Sequence, residues 1–295
     1  MQILKLEDIR DRLDDAILID RMRNALLAQS RGECDTPMPM HLVIEPGCEV
    51  HIKSSYYHGG DYFVLKMASA FHGKGNGMML LASAETGEPV AYFADSGHLT
   101  DLRTGAVSAM VARELGRQDT TIGILGSGIQ ARLTARFHAR VLPLKRVYLW
   151  ARVRERAERA AEEIRSLVRD VAVLSSPAAV AAATRLIVTC TASHEPLLFA
   201  SDIEDGTHIT AVGADSPGKR ELDPEILRSA GTIWVDSLEQ CKRLGELQHA
   251  PSEWSRARPC LSAPAQSSSL TVADLTGLGV EDLFIAEAIY ENRNL

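Results

Sequence analysis

No two of the five cysteines (Cys34, Cys48, Cys190, Cys241, Cys260) form a CxxC pair, and their odd number and wide scatter offer no disulfide framework. Free thiols in a reducing cytoplasm are the simplest expectation. No apolar run is long enough to span a bilayer, and no charged-then-apolar leader opens the chain, so neither a membrane partner nor export is expected. Basic residues are not in excess: 32 Lys and Arg against 39 Asp and Glu give a net charge of −7, which gives no reason to expect nucleic acid as a partner. The nine histidines show no metal-ligand spacing, and no metal is expected. What is left is the composition of an ordinary globular protein, 45% hydrophobic and 24% charged. Its 295 residues suffice for one large or two medium domains.

Against this background one stretch stands out, Thr121-Ile-Gly-Ile-Leu-Gly-Ser-Gly-Ile-Gln-Ala131. A β-prone run enters Gly126-Ser-Gly128, and a helical pattern starts at Ile129. Strand, glycine turn and helix N-terminus are the phosphate end of a dinucleotide-binding βαβ unit. Gly126 permits the turn, Gly128 lets the backbone approach a pyrophosphate, and Ala131 lets the helix pack on the strand. The helix N-terminus offers N–H groups and a positive dipole end to phosphates.

The pattern differs on the two sides of this turn. Before it, a short strand at residues 3–6 leads into helical periodicity (Ile9, Leu13, Ile17, Ile19, Met22, Leu26) that stops at Gly32. Five β segments follow at 41–44, 49–52, 62–67, 77–81 and 89–93, separated by turn signals at 45–47, 58–61, 73–76 and 86–89, which read as one meandering sheet. Thr100 is a candidate N-cap for a helix over 101–115, with Gly116 ending it. After the turn, strands at 146–150, 171–174, 186–191, 208–213 and 232–236 alternate with helices. That alternation predicts a parallel, doubly wound sheet. Residues 251–269 read as irregular, 270–273 as a strand, and 280–290 as a helix that folds back onto the first domain. The expected class is α/β: a Rossmann domain over 113–275, and a discontinuous α+β substrate and dimerisation domain over 1–112 with 276–295.

In a dinucleotide fold the second strand normally ends in an acid that binds the ribose hydroxyls. Here the segment is Leu149-Trp-Ala-Arg-Val-Arg154, with Ala151 and Arg152 at that place. A guanidinium pairs with a 2′-phosphate that a carboxylate would repel, so NADP(H) is the preferred cofactor, with NAD(H) the other possibility. Arg152 is then the main contact, assisted by Arg154 or Arg156. The alternative is a solvated basic helix start paired with Glu155 or Glu158. Lys66 lies in an otherwise apolar strand, where a lysine must snorkel, pair or be functional. Arg103 has the alternative of pairing with Asp101 or another acid. Asp215, just beyond the strand at 208–213, is either a ligand-facing carboxylate at the sheet's carboxyl edge or a turn residue before Ser216-Pro217. Cys190 reads as a packed small residue.

Several segments together resemble the ornithine cyclodeaminase/mu-crystallin family. They are Phe63-Val-Leu-Lys-Met-Ala-Ser69, Ala84-Glu-Thr-Gly-Glu-Pro89, Leu99-Thr-Asp-Leu-Arg-Thr-Gly-Ala-Val-Ser108, the glycine turn, Ala211-Val-Gly-Ala-Asp-Ser-Pro-Gly-Lys-Arg-Glu-Leu222, Gly245-Glu-Leu-Gln-His249 and Asp274-Leu-Thr-Gly277. The resemblance runs through nearly the whole chain in order. It implies a homodimer joined through the N-terminal sheet, NAD(P) as cofactor and a small α-imino or α-amino acid as substrate. Residue by residue, it implies that Lys66 and Arg103 bind the substrate carboxylate, and that Lys66 and Asp215 manage protons. It places Thr104, Gly126, Gly128, Ile129, Gln130, Arg152, Thr189, Thr191, Val212, Gly213 and Thr276 against the cofactor. The activity so implied is NAD(P)H-dependent reduction of an imino acid such as pyrroline-2-carboxylate to the L-amino acid. The alternatives are a cyclodeaminase that recycles its NAD, and a crystallin-like carrier without turnover. Two departures bear on substrate choice. The family's further carboxylate-binding arginine is absent from Pro37-Met-Pro-Met-His-Leu42, where Met40 or His41 stands instead, and the loops between Phe71 and Asn76 and between His249 and Leu270 are short.

Overall fold

A computed structural model describes residues 1–10, 12–115, 117–262 and 269–292. In chain order the first elements are β1 (Gln2–Lys5), α1 (Leu6–Ile9), α2 (Asp15–Ser30), β2 (Cys34–Asp35), β3 (Met40–Glu45), β4 (Cys48–Tyr57), β5 (Tyr62–Phe71), β6 (Lys74–Ser83), β7 (Pro89–Ala94) and α3 (His98–Glu114). An alternating run follows: β8 (Thr121–Leu125), α4 (Ile129–Val141), β9 (Arg146–Trp150), α5 (Arg154–Ile164), β10 (Asp170–Val173), α6 (Pro177–Ala183), β11 (Leu186–Thr189), β12 (His208–Ala211), α7 (Pro224–Ser229), β13 (Thr232–Val235), α8 (Leu238–Leu244), β14 (Arg258–Pro259) and β15 (Thr271–Asp274). The last helix is α9 (Gly279–Glu291). The chain divides into two compact units, Met1–Arg103 with Leu278–Leu295, and Thr104–Gly277.

The first unit is built on a seven-stranded sheet in the order β1-β7-β6-β5-β4-β2, with β3 also paired to β4. β1 is parallel to β7 and the other pairs are antiparallel. Alternation along the strands gives the sheet two unlike faces. Lys53, Ser55, Val64, Lys66, Met79, Leu81, Ala91 and Phe93 share the buried face. α9 packs on β4, β5, β6 and α2, and at its start a Cβ on Gly279 would come within 2.3 Å of the Ser54 carbonyl oxygen. The opposite face exposes Met40, Leu42, Ile44 and Leu65.

Local chemistry departs from the sequence expectation at three points. The helical stretch after β1 is two helices: α2 starts afresh at Asp14, whose carboxylate accepts from the Ala16 and Ile17 amides, and Leu13 falls in the break. The turn expected at 73–76 is the two-residue His72-Gly73, both at positive φ (51° and 78°), while Lys74, Gly75 and Asn76 already pair with β5. Thr100 does not cap α3, because it lies inside the first turn. Asp95 does so from outside the helix, accepting from the Leu99 amide at 2.7 Å. Gly116 lies outside the described residues.

In the second unit every strand pair is parallel, in the order β10-β9-β8-β11-β12-β15-β13-β14. Both faces are covered. Alanines of α4 and α5 (Ala131, Ala135, Ala157, Ala160, Ala161) pack with Ile122, Ile124, Val147 and Leu149 in one cluster. Val180, Ile226, Leu227 and Cys241, from α6, α7 and α8, pack with Ile187, Ile209 and Val235 in another. The sheet is thus doubly wound, and the order reverses between β8 and β11, the switch point at which such sheets bind ligands. β11 and β12 end at Thr189 and Ala211, two residues short of the expected limits.

Candidate functional site

In the first unit two cations converge on the acids of one helix. Lys66, on the covered face of β5, is 2% exposed, and its Nζ is 3.6 Å from Asp282 Oδ2. Arg103, 5% exposed on α3, donates from Nε to Asp282 Oδ1 at 3.2 Å and from Nη1 to Glu281 Oε2 at 2.8 Å. The two acids that open α9 are thus among its partners. Lys53 is the register partner of Lys66 across β4 and β5 and is also buried. Asp95 is buried as well: burial, with the Asp282 charge adding, raises its carboxyl above the ordinary range against hydrogen bonds from Leu99 and Gly97. Taking such charges out of water is tolerable only because they pair.

Sequence reasoning singled out Lys66 and Arg103 but missed Asp282, Glu281, Lys53 and Asp95. A signal was available for the α9 acids. Two adjacent carboxylates set between Val280 and the apolar run Leu283-Phe-Ile-Ala286 are as anomalous as one lysine in an apolar strand. At the position of the absent arginine, register decides between the two candidates. Met40 pairs with Ile52 and is exposed on the outer face, whereas His41 pairs with His51 on the face that carries Lys66.

In the second unit the glycine turn is a tight bend that opens onto the start of α4. Gly126 has φ 144°, and a Cβ there would meet Cys190 Sγ at 2.6 Å, so only glycine fits. Gly128 is the N-cap of α4, with open space where a Cβ would be and no side chain capping the first turn. Ile129 is exposed, Gln130 half-buried and Ala131 fully buried. Arg132 donates to the Ser127 and Gly128 carbonyls at 2.9 and 3.0 Å, holding the turn from behind. An uncapped helix start next to an open glycine backbone accommodates a phosphate. Arg152 is exposed beyond β9 and, among the described residues, makes no recorded ion pair, whereas Arg154 pairs with Glu158 at 2.9 Å. Burial raises the Cys190 thiol well above its ordinary pKa, consistent with a packed residue rather than a nucleophile.

The remaining residues meet a feature that the sequence did not reveal. Thr189 is fully buried and its hydroxyl donates to Glu221 Oε2 at 2.6 Å; the Thr191 amide and hydroxyl donate to Oε1 at 2.6 and 2.7 Å. The Gly213 amide donates to Oε2 at 3.0 Å, beside half-buried Val212. Glu221 therefore ties together the carboxyl ends of β11 and β12. Burial pushes its carboxyl up to about 7 against those hydrogen bonds. Behind it, Glu246 accepts from the Glu221 and Leu222 amides, and Asp274 accepts from the Glu246 and Leu247 amides. Thr276 donates from its amide and hydroxyl to Asp236, at 2.7 and 3.0 Å. Asp215 is half-exposed, accepts from Ser216 Oγ and pairs with Lys219 Nζ at 2.8 Å. It shares the second unit with Thr104 and the other nucleotide-side candidates; Lys66 and Arg103 belong to the first.

Comparison with known proteins adds a lineage to this geometry. The sequence model described as the ornithine cyclodeaminase/mu-crystallin family matches residues 69–294. An uncharacterized cyclodeaminase of Sinorhizobium fredii is 36% identical over 82% of this chain and 80% of its own length. The ketimine reductase mu-crystallin of Mus musculus is 29% identical over 98% of this chain and 96% of its own. Among solved structures, an archaeal alanine dehydrogenase dimer with bound NAD superposes with a TM-score of 0.90 at 27% identity, covering 100% of this chain and 97% of that one.

Proposed function

This chain belongs to the ornithine cyclodeaminase/mu-crystallin family, and from that footing we propose that it is an NAD(P)H-dependent reductase that converts a small α-imino acid to the L-amino acid. The observation that carries this reading is the buried pairing of Lys66 and Arg103 through one carboxylate, Asp282. Lys66 on the covered sheet face and Arg103 on α3 are held in fixed orientation by one acid, and that arrangement suits a substrate carboxylate. The glycine turn, Thr104, Thr191, Val212 and Gly213 hold the dinucleotide, Thr189 and Thr276 brace its strand ends, and the exposed Arg152 selects the 2′-phosphate of NADP(H). The second unit is thus the nucleotide domain and the first the substrate and dimerisation domain.

When bound, the reduced cofactor supplies the hydride that the imine carbon accepts. The chain's own groups do the rest. Arg103 and Lys66 anchor the carboxylate and so fix which face of the C=N bond is presented. Lys66, or water held by Asp215, gives the proton that the imine nitrogen gains, and the product leaves as an amine. The exposed apolar face bearing Met40, Leu42, Ile44 and Leu65 supports pairing with a second copy of the chain.

The test is to mix the protein with NADPH and either pyrroline-2-carboxylate or pyruvate plus methylamine, and to follow the reduced-nicotinamide absorbance. Net consumption, a lower KM for NADPH than for NADH, and loss of that preference in Arg152→Ala are expected. Proline formed from ornithine without net redox change would move the assignment to a cyclodeaminase, the activity in the name of the Sinorhizobium relative. Cofactor binding without either reaction would make it a carrier.

A further inference from the structure

The first unit also carries a cluster that the mechanism above does not use. We propose that His41, Glu49 and His51 form a three-ligand site for a divalent transition cation of the zinc type, clipping the edge strand β3 to β4. Chain spacing hides such a site, because His41 lies ten residues from His51; cross-strand pairing creates it. His41 and His51 are register partners, and Glu49, two residues before His51, points to the same face.

The donor atoms converge. His41 Nε2 lies 3.0 Å and His51 Nε2 3.7 Å from the same oxygen, Glu49 Oε2, and all three donor atoms are within 4.8 Å of one another. Ligands of a tetrahedral zinc ion, at bond lengths of about 2.1 Å, stand about 3.4 Å apart, between the two recorded distances. The imidazole rings stack at 4.5 Å between centroids, and both Nε2 atoms face the same Glu49 oxygen. The side chains are 13–26% exposed, sheltered yet reachable by an ion from solution. Two imidazoles and one carboxylate match zinc better than calcium or magnesium, which prefer all-oxygen shells, and they leave a fourth position for water.

Mechanical need fits as well. Among the described residues β3 pairs with β4 alone, so a cross-strand clip would hold an edge strand in register. Lys53 follows His51 by two residues on the same face, roughly 7 Å along the strand, and its charge opposes cation binding; Glu49, closer, offsets it. A second cluster, Glu45, Cys48 and His72, is the natural competitor, but its Glu45 and His72 side chains are 60% and 73% exposed.

The experiment strips the full chain with chelator and titrates it with Zn2+ by calorimetry and with Co2+ by visible absorption. One saturable equivalent per chain and a tetrahedral Co2+ spectrum without thiolate charge transfer are expected. His41→Gln and His51→Gln should each weaken binding beyond the roughly 10–100-fold that loss of a ligand's outer partner costs, and Lys53→Met should strengthen it. Glu49→Gln, isosteric, gives the same reading if a histidine variant does not fold. No saturable binding, binding unchanged in these variants, or a thiolate band that disappears in Cys48→Ser would overturn the site. The imino-acid reading is untouched by either result.

Discussion

Lys66, Arg103 and Asp282 show what burial does to single residues. A lysine and an arginine almost out of water require compensation, and Asp282 with Glu281 provides it at contact distance. Asp282→Ala removes the carboxylate that the two cations share and leaves Glu281 against Arg103, so a stability loss of about 3–5 kcal/mol is expected, read as a lower urea midpoint at unchanged slope. A loss under 1 kcal/mol would mean that water reaches the cluster. Lys66→Met keeps the length of the side chain and removes the proton donor; imine reduction should fall by about 10²–10⁴-fold in kcat while the dinucleotide still binds. A kcat near wild type would take Lys66 out of the chemistry. Lys66 was visible in the sequence because its neighbours are apolar. That Asp282 is its partner was not, since more than two hundred residues separate them and no local pattern links a β5 lysine to an α9 aspartate.

Elements here are held in register by close backbone approaches as much as by their own propensities. α9 reaches β4 because Gly279 carries no side chain, and an added Cβ would press on the Ser54 carbonyl at 2.3 Å, a rigid obstacle. Gly279→Ala should therefore destabilise the first unit by about 1–3 kcal/mol, with amide-exchange protection lost in β4 and α9 but kept in β8–β12. Uniform loss across both units would contradict this. Element type was largely legible: period-2 alternation for β3–β7, and strand–helix alternation after Gly126. Element ends were less so. Thr100 looked like a cap because it precedes Asp101 and a helical pattern, yet the helix already starts at His98, just after Ser96-Gly97, where both φ values are positive, and Asp95 makes the capping bond.

On the scale of the molecule, buried titratable groups set opposing pH dependences. Glu221 and Asp274 are each pushed to about 7 by burial. The folded chain keeps those protons at pH values where the unfolded chain has released them, so their contribution is complete below pH 4 and is lost as pH rises through 7. Burial lowers His208 to about 3 and His138 to about 4. Their contribution runs the other way, complete above pH 6.5 and lost as pH falls through those values. Glu221→Gln removes one acid from this balance. Relative to wild type, the variant should gain about 3 kcal/mol between pH 4.5 and pH 8, from a shift of 4.5 to about 7. Urea unfolding at the two pH values measures it, and a difference that does not change with pH would refute it.

By itself the sequence determined what depends on neighbours along the chain: the glycine turn, the alternation that winds the second sheet, the antiparallel hairpins of the first, and the lone lysine in an apolar strand. Only tertiary structure decided what depends on register and crossing: that His41 rather than Met40 shares a face with Lys66, that α9 supplies the counter-charges, and that Glu221 ties the ends of β11 and β12. Backbone preferences and hydrophobic periods act over a few residues and leave a trace in local order. Pairing of buried charges acts through space, and its partners are chosen by which strands and helices happen to be brought together.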